Sequence, residues 1–126
     1  MGRKILIVED DTALLTLTKY VLEGAGYKVE TCVDGGQALA DISNFKPELI
    51  LLDVLLPGID GYSLALELAK RPATKDIPII VISGLARTKI LFQGVPQIAA
   101  FMAKPWETGS LLENITLAFR IRPQPA

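Results

Sequence analysis

Four short runs of consecutive apolar residues limit most strongly how this chain can fold: Ile5-Leu6-Ile7-Val8, Leu49-Ile50-Leu51-Leu52, Ile79-Ile80-Val81-Ile82 and the weaker Ala99-Ala100-Phe101-Met102-Ala103. A strand with one wet face alternates apolar and polar residues; these runs do not, so each calls for burial on both faces. They are also far too short to span a bilayer. A fifth stretch, Lys28 to Cys32, does alternate and belongs nearer a sheet edge. The five segments start near residues 4, 28, 49, 78 and 99, and each interval has room for a helix and two loops. That rhythm is a repeated βα unit, which predicts an α/β fold with a parallel sheet covered on both sides.

The intervening segments carry helical signals. In the first, Leu14, Leu17 or Thr18, Val21 and Ala25 recur at three-to-four spacing, widened by Leu15 and Leu22, with Asp11 or Thr12 as cap and Gly26 as stop. Gly35-Gly36 opens a second helix marked by Ala38, Leu39 and Ile42 and stopped before Pro47. A third starts near Asp60, carries Leu64 and Leu68, and is finished by Pro72. A fourth is expected over 86–93. The last runs from Thr108 to Arg120, with Leu111, Leu112, Ile115 and Phe119 on one side and Ser110-x-x-Glu113 as a capping box. Residues 1–121 then form one domain, and 122–126 read as a tail or the start of a linker.

Composition excludes several functions. With 126 residues the chain is long enough for a core without staples and too short for a second domain. Lys plus Arg number 13 against 14 Asp plus Glu, so no net field draws the protein to nucleic acid or to an anionic membrane, and neither is an expected partner. The basic start Met1-Gly2-Arg3-Lys4 leads into only four apolar residues before Glu9, Asp10 and Asp11, which is not an export signal, and the expected location is the cytoplasm. With one cysteine, Cys32, and no histidine, an internal disulfide, a Cys/His zinc cluster and a histidine-based catalytic pair are all excluded. Chemistry falls to carboxylates, hydroxyls and lysine.

In an open α/β sheet, ligands bind beyond the carboxyl ends of the strands. The residues placed there are Glu9 and Asp10 after the first run, Asp53 after the third, Ser83 after the fourth and Lys104 after the fifth. Singly, each has an ordinary explanation. Acids after strands cap helices, and Asp11 and Asp60 are expected to do only that; Lys104-Pro105 alone reads as a turn. Their convergence is what points to a site. Three carboxylates and one lysine leave a cleft near −2, and two anions about 5 Å apart repel by roughly 3 kcal/mol at an effective dielectric near 20. A divalent hard cation offsets that repulsion. Mg²⁺ suits one or two carboxylates, a carbonyl, waters and a phosphate oxygen, and Asp53 can then act as a nucleophile toward a phosphoryl group.

Taken in order, Ile5-Leu6-Ile7-Val8-Glu9-Asp10-Asp11, Leu51-Leu52-Asp53-Val54-Leu55-Leu56-Pro57-Gly58-Ile59-Asp60-Gly61, Val81-Ile82-Ser83-Gly84 and Lys104-Pro105 resemble the receiver domain of bacterial two-component response regulators, over Lys4 to about Arg120. The resemblance implies a flavodoxin-like, doubly wound, five-stranded parallel sheet in the order 2-1-3-4-5 with five helices. It implies that Asp53 accepts a phosphoryl group from a sensor histidine kinase or histidine phosphotransfer protein, and that an output protein or domain reads the result. Asp10 and Asp53 would bind Mg²⁺ directly, Glu9 through water, and Leu55 through its backbone carbonyl. Ser83 and Lys104 would hold phosphoryl oxygens, and Phe101 would be the switch aromatic that moves with Ser83. Such a module turns over only its own phosphoaspartate and is not an enzyme in the ordinary sense.

This sequence departs from the family pattern at several places. Leu55 and Leu85 are apolar where polar groups are common, the stretch from Ile90 to Pro96 is apolar and broken by Gly94, and Trp106 stands where Phe is commoner. If exposed, Ile90, Leu91 and Phe92 would form a contact patch; if buried, they are core. Three other functions fit this sequence less well. A phosphohydrolase of the haloacid dehalogenase type needs a second Asp where Leu55 stands. A nucleotide or flavin binder needs a Gly- or Ser/Thr-rich loop where Glu9, Asp10 and Asp11 stand. A receiver acting by contact alone would not need the acidic residues.

Overall fold

The structure is a computed structural model that describes residues 2–84, 92 and 94–121. Elements follow in the order β1 (Lys4–Val8), α1 (Thr12–Gly24), β2 (Lys28–Cys32), α2 (Gly35–Phe45), β3 (Leu49–Asp53), α3 (Gly61–Lys70), β4 (Ile79–Ser83), β5 (Ile98–Ala103) and α4 (Thr108–Ile121). Every strand pairing is parallel and the sheet order is β2-β1-β3-β4-β5, as expected. Among the described residues there are four helices. The fifth, expected over 86–93, lies outside them except for Phe92, as do Leu85, Ile90, Leu91 and the tail 122–126.

The apolar runs become strands because each side chain has a layer to enter. On β1, Leu6 and Val8 face a core completed by α2 and α3, while Ile5 and Ile7 face one completed by α1 and α4. β3 and β4 are buried throughout. Burying a Leu or Ile stabilises by about 1.5–3 kcal/mol against leaving it exposed, so a one-residue slip that exchanged the two faces would be strongly opposed. β5 departs from the expectation: as an edge strand it is half-buried over Ile98–Phe101, and only Met102 is buried.

Local chemistry sets the helix ends. Asp11 caps α1 by accepting from the Ala13 and Leu14 amides, Asp34 caps α2, and Asp60 caps α3 through the Ser63 amide at 2.9 Å. Two sequence expectations are corrected. The buried stripe of α1 is Leu15, Thr18 and Leu22, whereas Leu17 is exposed and Leu14 only half-buried. Thr18 can be buried because its hydroxyl donates to the Leu14 carbonyl at 2.7 Å. On α4, Ser110 lies inside the helix instead of capping it; the turn begins earlier, with the Leu111 amide donating to the Glu107 carbonyl at 2.9 Å. Among the described residues no helix is long and apolar enough to cross a membrane.

Phe92 is buried, so it belongs to the core and not to a contact patch. Its ring makes edge contacts with Tyr62 of α3 and Phe101 of β5, at centroid distances of 5.5 and 5.6 Å.

Candidate functional site

β1 lies between β2 and β3, so the crossovers leaving β1 and β3 run to opposite faces of the sheet and a crevice opens between their carboxyl ends. Glu9 and Asp10 follow β1, and Asp53 ends β3. The Glu9 amide donates to the Cys32 carbonyl at 2.9 Å, extending the β1–β2 ladder by one residue and fixing where the Glu9 side chain starts. Glu9 and Asp53 are buried, while Asp10 is exposed at the mouth. One carboxylate oxygen from each of the three lies within 4.8 Å of the others.

Lys104 reaches the same place from beyond β5. Its amide donates to the Ser83 carbonyl at 3.0 Å, anchoring it to the end of β4, and the Lys104–Pro105 peptide is cis. Its ammonium lies 2.9 Å from Glu9 Oε1 and 3.2 Å from Asp53 Oδ2. Ser83 is buried at the end of β4; Asp53 pairs in register with Ile82, so Ser83 stands one residue further along the adjacent strand. Leu55 is 63 % exposed on the loop leaving Asp53. Phe101 is half-buried and packs on Phe92. The fold thus gathers Glu9, Asp10, Asp53 and Lys104 at one point, sets Ser83 and Leu55 on the adjoining rim, and keeps Phe101 in the layer beneath.

The electrostatics show an unfinished balance. Burial raises the Glu9 carboxyl above its ordinary range; Lys104 pulls it back and the neighbouring Asp53 pushes it further up. For Lys104, burial works against the charge, but the hydrogen bond to Glu9 and the Asp53 charge outweigh it and hold the ammonium above its usual value. One cation shared by buried carboxylates leaves net negative charge among hard oxygen donors, the donor set that suits a small divalent ion.

Sequence reasoning placed these residues on one rim but missed two relationships. One is that Lys104 spans both buried acids, which depends on side-chain reach. The other is the close packing of the α2 start, at Asp34 and Gly35, against the loop after β3; the only sequence signal for it is a glycine on the first turn of a helix, where Ala would be favoured.

Comparison with known proteins agrees with this architecture. The family model described as response regulator receiver domain matches residues 5–116. The DNA-binding dual master transcriptional regulator RpaA of Synechocystis sp. is 36% identical over 120 residues, covering 93% of this chain and 49% of that protein. A CheY-like response regulator receiver domain protein from Methanospirillum hungatei superimposes with a TM-score of 0.88 at 34% identity, covering 97% of each chain. The receiver domain of sensor histidine kinase PA1611 from Pseudomonas aeruginosa, solved with a magnesium ion coordinated in its active site cleft, gives 0.82 at 28% identity, covering 95% of this chain and 97% of that one. The chain spans about half the length of RpaA and of the Rhizobium meliloti regulator PhoB. Since relatives are named as DNA-binding or transcriptional regulators, the expectation of no nucleic-acid partner, drawn from net charge, finds no support in them. Fold, rim residues and family match converge: the chain belongs to the response regulator receiver domain family, the phosphorylation-dependent signalling module of two-component systems.

Proposed function

We propose that this chain is a phosphoacceptor switch in which Asp53 takes a phosphoryl group from a phosphohistidine of a sensor kinase or phosphotransfer protein. The observation that carries the reading is the convergence of Glu9, Asp10, Asp53 and Lys104 at the strand ends. A carboxylate oxygen of Asp53 attacks phosphorus, the donor P–N bond breaks, and its electron pair leaves with the imidazole. Asp10, Asp53 and the Leu55 carbonyl would hold Mg²⁺, with Glu9 reaching it through water. The three clustered carboxylates fit such an ion, and when bound it neutralises charge on the transferring oxygens. Lys104 supplies a second fixed positive charge for the phosphoryl group, and the Ser83 hydroxyl donates to another of its oxygens. Turnover is confined to the chain's own phosphoaspartate.

Phe101 is the switch aromatic in this reading, and it reports the state of Ser83 to partners on the β5 and α4 side. The output is a downstream protein or a domain beyond this chain, nucleic-acid-binding in relatives such as RpaA. Supporting the reading over a phosphohydrolase, the position two after Asp53 is Leu55, which cannot act as an acid or base. Incubation with acetyl phosphate and Mg²⁺ adds one phosphoryl mass to the parent and none to Asp53→Asn, and beryllofluoride shifts the amide spectrum. A chain unresponsive to both, beside a responding homologue, ends the proposal.

A further inference from the structure

Gly35-Gly36 opens α2 and Pro57-Gly58 lies in the loop after β3, and the fold presses the two segments together. The Gly35 amide donates to the Pro57 carbonyl oxygen at 3.0 Å. A Cβ on Gly35 would collide with the Ile59 carbonyl oxygen and lie 2.9 Å from Ile59 Cγ2. From the other side, a Cβ on Gly58 would collide with Asp34 Oδ1 and lie 2.8 Å from the Gly36 nitrogen, and Gly58 holds φ at +82°, where a side chain is strained. Asp34 Oδ1 accepts from the Gly36 amide at 2.7 Å, so the α2 cap is also the wall behind Gly58.

The contact brackets the site. The loop leaving Asp53 is tied at one end by the Gly61 amide donating to the Val54 carbonyl at 2.8 Å and at the other by the Gly35–Pro57 bond, with Leu55 and Leu56 between. Gly36, on the same helical turn, meets a milder demand: a Cβ there would ask the Asp34 carboxylate to give by a few tenths of an ångström but would not enter the loop backbone. The nearest atom to a Cβ there is Asp34 Oδ1 at 3.2 Å, and the loop comes no closer than 3.9 Å. Glycine in a helix costs about 0.5–1 kcal/mol relative to Ala, so α2 gives up stability at Gly35, where the loop needs the room.

We propose that Gly35 and Gly58 are positioning residues for the acidic site: by letting the α2 start touch the loop after β3 they fix Leu55 beside Asp53, and divalent-cation binding depends on that contact. The proposal rests on the reading of Leu55 as a main-chain Mg²⁺ ligand. Coupling of this kind is reciprocal, so Mg²⁺ must also tighten the contact.

Gly35→Ala and Gly36→Ala form a matched pair, since both improve helix propensity on one turn and only the first drives a methyl into the loop. Mg²⁺ is titrated into each without any phosphoryl donor and followed by amide NMR, with urea unfolding as the check on folding. Gly36→Ala is expected to bind as the parent does, and Gly35→Ala roughly 10- to 100-fold more weakly, the usual loss when a residue supporting a metal ligand is changed. In the parent, exchange of the Gly35 amide is expected to slow on Mg²⁺ addition; this holds the proposal to account even if Gly35→Ala fails to fold. A folded Gly35→Ala that binds like the parent, or a Gly35 amide whose exchange ignores Mg²⁺, overturns the positioning role alone. A parent that binds no Mg²⁺ overturns the metal reading of the site and this role with it.

Discussion

Lys104 and Glu9 form the shortest ion pair among the described residues, Nζ to Oε1 at 2.9 Å, with the Glu9 side chain almost wholly covered and that of Lys104 26 % exposed. The same ammonium serves Asp53, so one side chain compensates two buried acids.

Lys104→Met is therefore expected to destabilise the chain by about 1–3 kcal/mol at neutral pH, below the cost for a fully buried pair because water reaches the ammonium. The pH dependence has a definite sign. The Glu9 carboxyl already sits above its ordinary 4.5 in the fold, and loss of Lys104 removes a group that lowers it. A carboxyl raised in the folded state favours folding below its unfolded value and loses that contribution as pH rises through the folded one. The deficit should shrink as pH falls from neutral toward the ordinary glutamate range. Urea unfolding of parent and variant across that interval checks it, and a constant deficit contradicts it.

Phe92 joins α3 to β5 through two edge contacts while itself fully buried. Phe92→Ala is expected to cost about 3–5 kcal/mol, the range for deleting a buried ring, and Phe92→Leu distinctly less because most of the volume stays. Chemical denaturation measures both. Equal losses would show that the ring geometry matters more than the space it fills.

These residues also show what the sequence could reveal. The strands were legible because an unbroken run such as Leu49 to Leu52 has only one comfortable place in a small protein, between two helical layers. The α1 face was legible only in part: Leu15, Leu22 and the alternative Thr18 are the buried residues, but apolar spacing alone did not separate them from Leu14, Leu17, Val21 and Ala25, and Thr18 is buried because its hydroxyl finds a partner within the helix. Ser110 failed as a cap for a related reason: its spacing to Glu113 is right, but packing of Leu111 and Ile115 against the sheet sets where α4 begins. At the site, order along the chain put Glu9, Asp10, Asp53, Ser83 and Lys104 on one rim. The bridging by Lys104 and the contact of Gly35 and Gly58 across the loop after β3 depend on distances across the fold; no local pattern encodes the first, and a helix-opening glycine only hints at the second.

Cys32 is covered on the inner face of β2, and burial pushes its thiol up to about 11. At pH 8 only about one molecule in a thousand then carries the thiolate that reacts. Ellman's reagent is expected to modify the native chain at a rate set by opening of the fold, and the urea-unfolded chain at once. The raised value makes an alkaline contribution too: stability from the neutral thiol is complete below the ordinary 9.0 and is lost as pH climbs toward 11. Rapid labelling under native conditions would show that the β2 edge opens far more easily than its pairing with β1 implies.

Leu55 carries the last prediction, which concerns the lifetime of the phosphorylated state. It stands two residues beyond Asp53, largely exposed on the loop over which hydrolytic water would approach. Hydrolysis of an aspartyl phosphate needs a water held in line with the P–O bond that breaks, and a leucine side chain offers no donor or acceptor to hold one while excluding part of the space. The hypothesis is a long-lived phosphoaspartate. Leu55→Asn puts an amide where the isobutyl group was, so loss of the phosphoryl group, followed by intact mass after removing acetyl phosphate, should be severalfold faster with the extent of phosphorylation still complete. Leu85→Glu, two residues after Ser83 in sequence and outside the described residues, tests the same idea. Decay that is unchanged or slower in both variants would mean that the lifetime is set elsewhere, with Lys104 and Asp10 as the next groups to vary.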